Sequence, residues 1–178
     1  MSGKPDFVYV TYVKSTPDLV WEALTDPGLS GEYWGHENVS DWRPGSAWEH
    51  RRTDGSGVAD VVGEVLEASP PSHLVITFDP PGPEPPGGPS KVTFEIAPFH
   101  DIVRLTVLHE NLADGRALAA ISSGWPAVLS NLKSLLETGS VLPRPPWEME
   151  PELRAAQMAR NDPGPGSATD PTTKGGRS

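Results

Sequence analysis

The stretch SSGWPAVLSNLKSLLETG, Ser122–Gly139, decides the fold. With Leu118 and Ile121 ahead of it, Trp125, Val128, Leu129, Leu132, Leu135 and Leu136 recur at helical spacing and form one apolar face. Gly124 and Pro126 interrupt its front. Proline has no N–H to lose at the first position of a helix, so the pattern predicts a main helix starting at Pro126 with Ser122 or Ser123 as its cap. Gly124 then permits a bend or a close backbone approach. Gly139 supplies a left-handed stop.

So long a stripe must cover an apolar sheet, and the preceding sequence supplies one. FVYVTYV, Phe7–Val13, is β-branched and aromatic and reads as a strand. In STPDLVWEALTDPG, Ser15 or Thr16 caps a short helix, Pro17 opens it and Pro27 ends it, and a second short helix or turn runs to Trp34. Up to six strands follow: His36–Trp42, Ser46–Arg52, Val58–Ala68 (with Gly63 a bulge or bend), His73–Asp79, Lys91–Ala97 and Asp101–Glu110. Asp54–Gly55 marks a hairpin turn. Clean alternation, as in Val103, Leu105, Val107 and His109 against Arg104 and Thr106, describes antiparallel strands with one covered face. Between two strands, Pro80–Ser90 holds six prolines in eleven residues and reads as an extended, exposed connection. The expected fold is α+β: a curved antiparallel sheet, two short helices, and one long carboxy-terminal helix.

After Gly139 the pattern is lost. The expected division is a domain over residues 1–139 and a Pro/Gly-rich tail over 140–178, mostly disordered, with a short helix possible at 152–160. Residues 1–139 carry nine basic and nineteen acidic side chains and so hold the whole net charge of −10. Such a surface repels phosphate backbones, which argues against nucleic acid as a partner. No run is long and apolar enough to span a membrane, and the start carries no secretion-signal pattern, so a cytoplasmic protein is expected. With no cysteine, disulfides, thiolate metal sites and Cys nucleophiles are excluded. The five histidines are scattered, no phosphate-binding Gly-x4-Gly-Lys motif occurs, and no nucleophile elbow is present. Neither metal nor cofactor is expected.

At this point the chain resembles a known family. VWEALTDPGLSGEYW, SDWRPGSAWEH, GEVLEASPPSHLVITF, VTFEIAP, VRLTVLHENL and SGWPAVLSNLKSLLETG are similar to the activator-of-Hsp90-ATPase-like branch of the START superfamily. The likeness covers Phe7 to Gly139 and excludes the Pro80–Ser90 insert. It implies a helix-grip, Bet v 1-like fold in which the long helix lies across the sheet and encloses a cavity. Functions in that superfamily include lipid carriage, polyketide cyclisation, co-chaperone work, and antibiotic resistance by sequestration or self-sacrifice.

Alternation then nominates the side chains that look inward: Trp34, Trp48, His50, Phe78, Phe94, Leu105, Val107, His109, Trp125 and Leu129. Rigid aromatic walls with a few polar points suit a flat apolar ligand. His50, His109 and Glu110 are the candidate polar points, with Glu110 facing away by alternation. Asp41, Glu49 and Asp60 fall on presumed outer faces. The leading expectation is binding or sequestration of a small hydrophobic, aromatic or polyketide-like ligand, without catalysis. The alternatives are self-sacrifice towards an enediyne with cleavage at Gly124, a cyclase or dehydratase using His50 or His109, and a chaperone partner for which the sequence offers only the acidic surface and the Pro-rich loop.

Overall fold

The computed structural model describes residues 3, 4 and 6–161. The elements run β1 (Phe7–Val13), α1 (Pro17–Thr25), α2 (Pro27–Trp34), β2 (His36–Val39), β3 (Ala47–Arg52), β4 (Ala59–Ser69), β5 (His73–Thr77), β6 (Lys91–Phe99), β7 (Ile102–Glu110), α3 (Gly115–Thr138), a 3-10 turn at Pro146–Glu148, and α4 (Met149–Asn161). The seven strands form one sheet in the order β1-β7-β6-β5-β4-β3-β2, antiparallel throughout. The sheet and its long helix make the expected helix grip.

Local chemistry explains the short helices. Thr16 Oγ1 accepts from Leu19 N at 3.3 Å, with Pro17 in the first turn of α1. Asp26 ends α1 and caps α2, its carboxylate accepting from Leu29 N at 2.9 Å. Gly35, at φ 74°, turns the chain from α2 into β2. Strand β2 stops at Val39 rather than Trp42, because Trp42 takes φ 57° and sends its indole N–H to Thr25 O at 2.9 Å.

The long helix differs from the sequence expectation at its start. It begins at Gly115, where Asp114 accepts from the N–H groups of Arg116 and Ala117, both at 2.9 Å. Pro126 therefore lies inside α3. Its missing N–H leaves the carbonyl of Ser122 without the usual helical donor, and Ser122 is exposed to water. Ser122 and Ser123 do not cap; their hydroxyls donate back to Leu118 O and to Ala119 O and Ala120 O.

Trp125, Val128, Leu129, Leu132 and Leu135 bury the inner face of α3 in the main core against Val65, Leu74, Ile76, Phe94, Leu105 and Val107 of the sheet. Helix α3 also guards one sheet edge. Glu137 accepts from Lys14 N at 2.8 Å, and Lys133 donates to Tyr12 O and to Glu137. The compact unit continues through Trp147, past Gly139. Asn131 accepts from Leu142 N at 2.7 Å and donates to Tyr33 O at 2.8 Å. Val141 and Trp147 pack on the core.

The Pro80–Ser90 connection is pinned at its far end. Asn111 Nδ2 donates to the carbonyl cluster of Gly87, Gly88 and Pro89, 2.8–3.2 Å away, and Lys4 donates to Pro86 O at 3.0 Å. The stretch 152–160 lies within the second unit, where α4 forms. Residues 162–178, for which disorder was expected, lie outside the described residues. Among the described residues no helix is long and apolar enough to cross a membrane.

Candidate functional site

A single glycine sets the centre of the concave face. Trp48 on β3 stands opposite Gly63 on β4. Its indole crosses β4 and donates to Thr77 O on β5 at 2.7 Å. A Cβ at Gly63 would collide with both that indole nitrogen and the Thr77 carbonyl. The Gly63 position is thus a passage for a side chain. The bulges in β4 lie elsewhere, between Val65 and Glu67 and opposite His50/Arg51.

Around Trp48 the nominated residues converge. Phe78 lies 5.6 Å from Trp48, 5.3 Å from His109 and 5.9 Å from Trp125, ring centre to ring centre. Trp125 lies 5.6 Å from Phe94 and 5.2 Å from Trp34, and Trp34 lies 4.5 Å from His50. Leu105, Val107 and Leu129 are fully buried beneath. These rings touch one another between helix and sheet, so they occupy much of the space the grip encloses. Trp34 and Phe78 are only half-buried and form its rim. Among the described residues, concavities of about 390, 440 and 320 Å³ lie beside Lys4 and Asn111, beside Val39 and Arg51, and beside Tyr12 and Arg104, and no ring of the cluster lines these.

His109, 1% exposed, is held in a chain of hydrogen bonds. The Trp125 indole N–H donates to His109 Nδ1 at 3.2 Å. That leaves the proton on Nε2, which donates to Ser90 Oγ at 3.0 Å, and the Ser90 hydroxyl donates to Phe78 O. The chain joins α3 to β7, to the start of β6 and to the end of β5. Burial pushes the His109 pKa down to about 4, so the ring is neutral. Both nitrogens are engaged within the protein, which is the arrangement of a staple. Glu110 faces the other way and pairs with Lys91 at 2.8 Å.

His50 differs. Its Nδ1 lies 2.7 Å from Asn38 Oδ1, while Asn38 Nδ2 donates to Leu24 O at 2.9 Å. The amide orientation makes His50 Nδ1–H the donor and leaves Nε2 as a bare acceptor. No described residue donates to it. Burial, then the neighbouring His36, push the His50 pKa down to about 3, with Asp60 opposing. His36 stacks on His50 with centroids 4.3 Å apart and planes 7° from parallel.

Asp60 is a correction to the expected outer-face position. It is the extra residue where Val61 pairs with His50 and Ala59 with Arg51. The bulge turns it onto the inner face. There it accepts from Arg52 Nε at 2.8 Å and Nη2 at 2.7 Å, and from His36 Nε2 at 2.9 Å. Those hydrogen bonds, Arg52 foremost, hold its carboxyl well below the usual carboxylate range.

The sequence also did not single out Tyr33, Asn38, His36 and Ser90. Tyr33 is fully buried with no partner for its hydroxyl among the described residues, and burial raises its pKa. Only the β2–β3 register, with Asn38 opposite His50 and His36 opposite Arg52, would have revealed the polar group. Gly124 lies in mid-helix, and a Cβ added there would meet nothing within 4 Å. Among the described residues no group of three His, Asp or Glu side chains is placed to hold a metal ion.

Three solved structures share this architecture. CalU16 from Micromonospora echinospora is 24% identical, with a TM-score of 0.63, covering 86% of this chain and 82% of that one. The Aha1 dimer from Colwellia psychrerythraea is 20% identical, with a TM-score of 0.64, covering 76% and 98%. PFC0360w, an HSP90 activator from Plasmodium falciparum, is 21% identical, with a TM-score of 0.60, covering 74% and 95%. At these identities the likeness speaks for the fold. No curated protein matches the sequence. Residues 14–137, well over half of the chain, match the family model described as Activator of Hsp90 ATPase homolog 1-like protein, and the chain belongs to that family.

Proposed function

We propose that the domain binds a small, flat, apolar ligand at the rim of the helix grip, against Trp34 and Phe78, without altering it chemically. The observation that carries this reading is the convergence of Trp34, Trp48, His50, Phe78, Phe94 and Trp125 on the concave face, with two of those rings left half-buried. Aromatic walls contribute contact area at little conformational cost and stack on a planar guest. Because its two ring nitrogens are already engaged, His109 acts as framework. Its low proton affinity also suits it poorly to acid–base work near neutral pH.

Titration of the protein with naphthalene and phenanthrene tests this. The expected result is saturable, one-to-one quenching of tryptophan emission that Trp34→Ala weakens by about tenfold, the loss of one well-packed aromatic contact. Quenching that stays linear in added compound, or is unchanged in Trp34→Ala, overturns the reading.

A further inference from the structure

At the β2–β3–β4 side of the rim, the His50 ring lies 4.5 Å from the half-buried Trp34, and His36 stacks on His50 at 4.3 Å. His50 is 4% exposed, yet Nε2 is an acceptor to which no described residue donates. Nε2 is not among the buried unpartnered atoms of the described residues, so it reaches the surface, where a donor from outside the protein can answer it. Its surroundings are built to keep it an acceptor. Asn38, itself 4% exposed, takes the Nδ1 proton and is anchored in turn to Leu24 O, with its own N–H on Ser30 Oγ at 2.8 Å. His36 backs the ring face to face, and its own N–H is drawn off to Asp60, which Arg52 holds from the other side. Among the described residues, the titratable groups that act on His50 are His36 and Asp60, and Arg52 pairs with Asp60. The Asp60–Arg52 pair leaves no uncompensated charge to attract an ionic ligand.

We propose that this position reads a hydroxyl group: the ligand is a hydroxylated aromatic, a phenol or naphthol, whose ring lies against Trp34 and whose O–H donates to His50 Nε2. This rests on the binding reading above and narrows it to a chemical class. An aromatic bearing only a ketone or ether oxygen would set acceptor against acceptor and be disfavoured. Because His50 resists protonation near neutral pH, the phenol keeps its proton and the contact is a hydrogen bond. His36, Asp60 and Arg52 are positioning residues that act through His50.

The test compares 2-naphthol with 2-methoxynaphthalene, which share a ring system and differ in the donor. Calorimetric titration of the full chain at pH 7.5 is expected to show 2-naphthol binding about tenfold more tightly, the worth of one buried hydrogen bond. His50→Phe keeps an aromatic ring and removes the acceptor, and brings 2-naphthol down to the affinity of the ether. In the unsubstituted protein, the unprotonated Nε2 resonance of His50 in the ¹⁵N spectrum shifts on adding 2-naphthol and stays in place on adding the ether. Equal affinities in the unsubstituted chain, or a Nε2 signal that ignores 2-naphthol, overturn the hydroxyl assignment while leaving aromatic binding intact. Failure of both compounds to bind overturns the binding reading itself, and this assignment with it.

Discussion

His36 and His50 stack face to face, yet each sends its N–H away from the other, His36 to Asp60 at 2.9 Å and His50 to Asn38 at 2.7 Å. A stack of this kind tolerates two neutral rings and opposes a second positive charge. Together with buried His109, it makes folding dependent on pH in a definite direction.

Both buried histidines bind protons less readily in the folded chain than in the unfolded one, whose histidines titrate near ~6.5. Over the interval between, the unfolded state holds more protons, so stability rises with pH. The contribution is complete above that value and is lost as pH falls through about 4 for His109 and about 3 for His50. The expected slope is about 1.4 kcal/mol per pH unit for each ring. Urea midpoints between pH 7 and pH 4.5 measure it, and His109→Gln should halve it. A flat profile would show that the rings are not neutral in the fold.

Ser90 is the middle of the Trp125–His109–Ser90–Phe78 chain. Ser90→Ala strands the His109 Nε2–H without an acceptor, at an expected cost of about 1–3 kcal/mol. It should also free the His109 ring to change tautomer. Denaturation midpoints read the first effect, and histidine ¹⁵N shifts read the second.

Gly63→Ala should be among the most damaging single-methyl additions in the molecule. The added carbon meets the Thr77 carbonyl and the Trp48 indole. Repacking should cost about 1–3 kcal/mol, with about 1 kcal/mol more if the Trp48–Thr77 hydrogen bond breaks. A variant as stable as the parent would mean that Trp48 has another place to go.

Tyr33→Phe is expected to stabilise the protein. The hydroxyl it removes is buried with no partner among the described residues, and an unmade hydrogen bond of that kind costs about 1–3 kcal/mol. A rise in melting temperature is the expected outcome; a fall would reveal a partner for the hydroxyl, such as a buried water.

Much of the fold was legible because its determinants are periodic. The alternation in Val92–Ile96 and Val103–His109 and the stripe from Trp125 to Leu136 each encode a face directly. The start of α3 was misread because a proline inside a helix looks like a beginning, whereas Asp114 had the stronger claim through two backbone N–H groups. The inward rings were legible by the same alternation. The polar corner was not, since a bulge shifts phase by one residue. Asp60 changed faces through such a shift, which only strand register discloses.

Strand β1 ends the sheet and shows Val8, Val10 and Tyr12 to solvent, which is where fibrils and strand-swapped pairs begin. A helical lysine and glutamate already occupy hydrogen-bonding groups at its far end. An incoming peptide would have to evict a charged pair before it could zip on, so the contacts that seat the helix also work as a gatekeeper against templated aggregation.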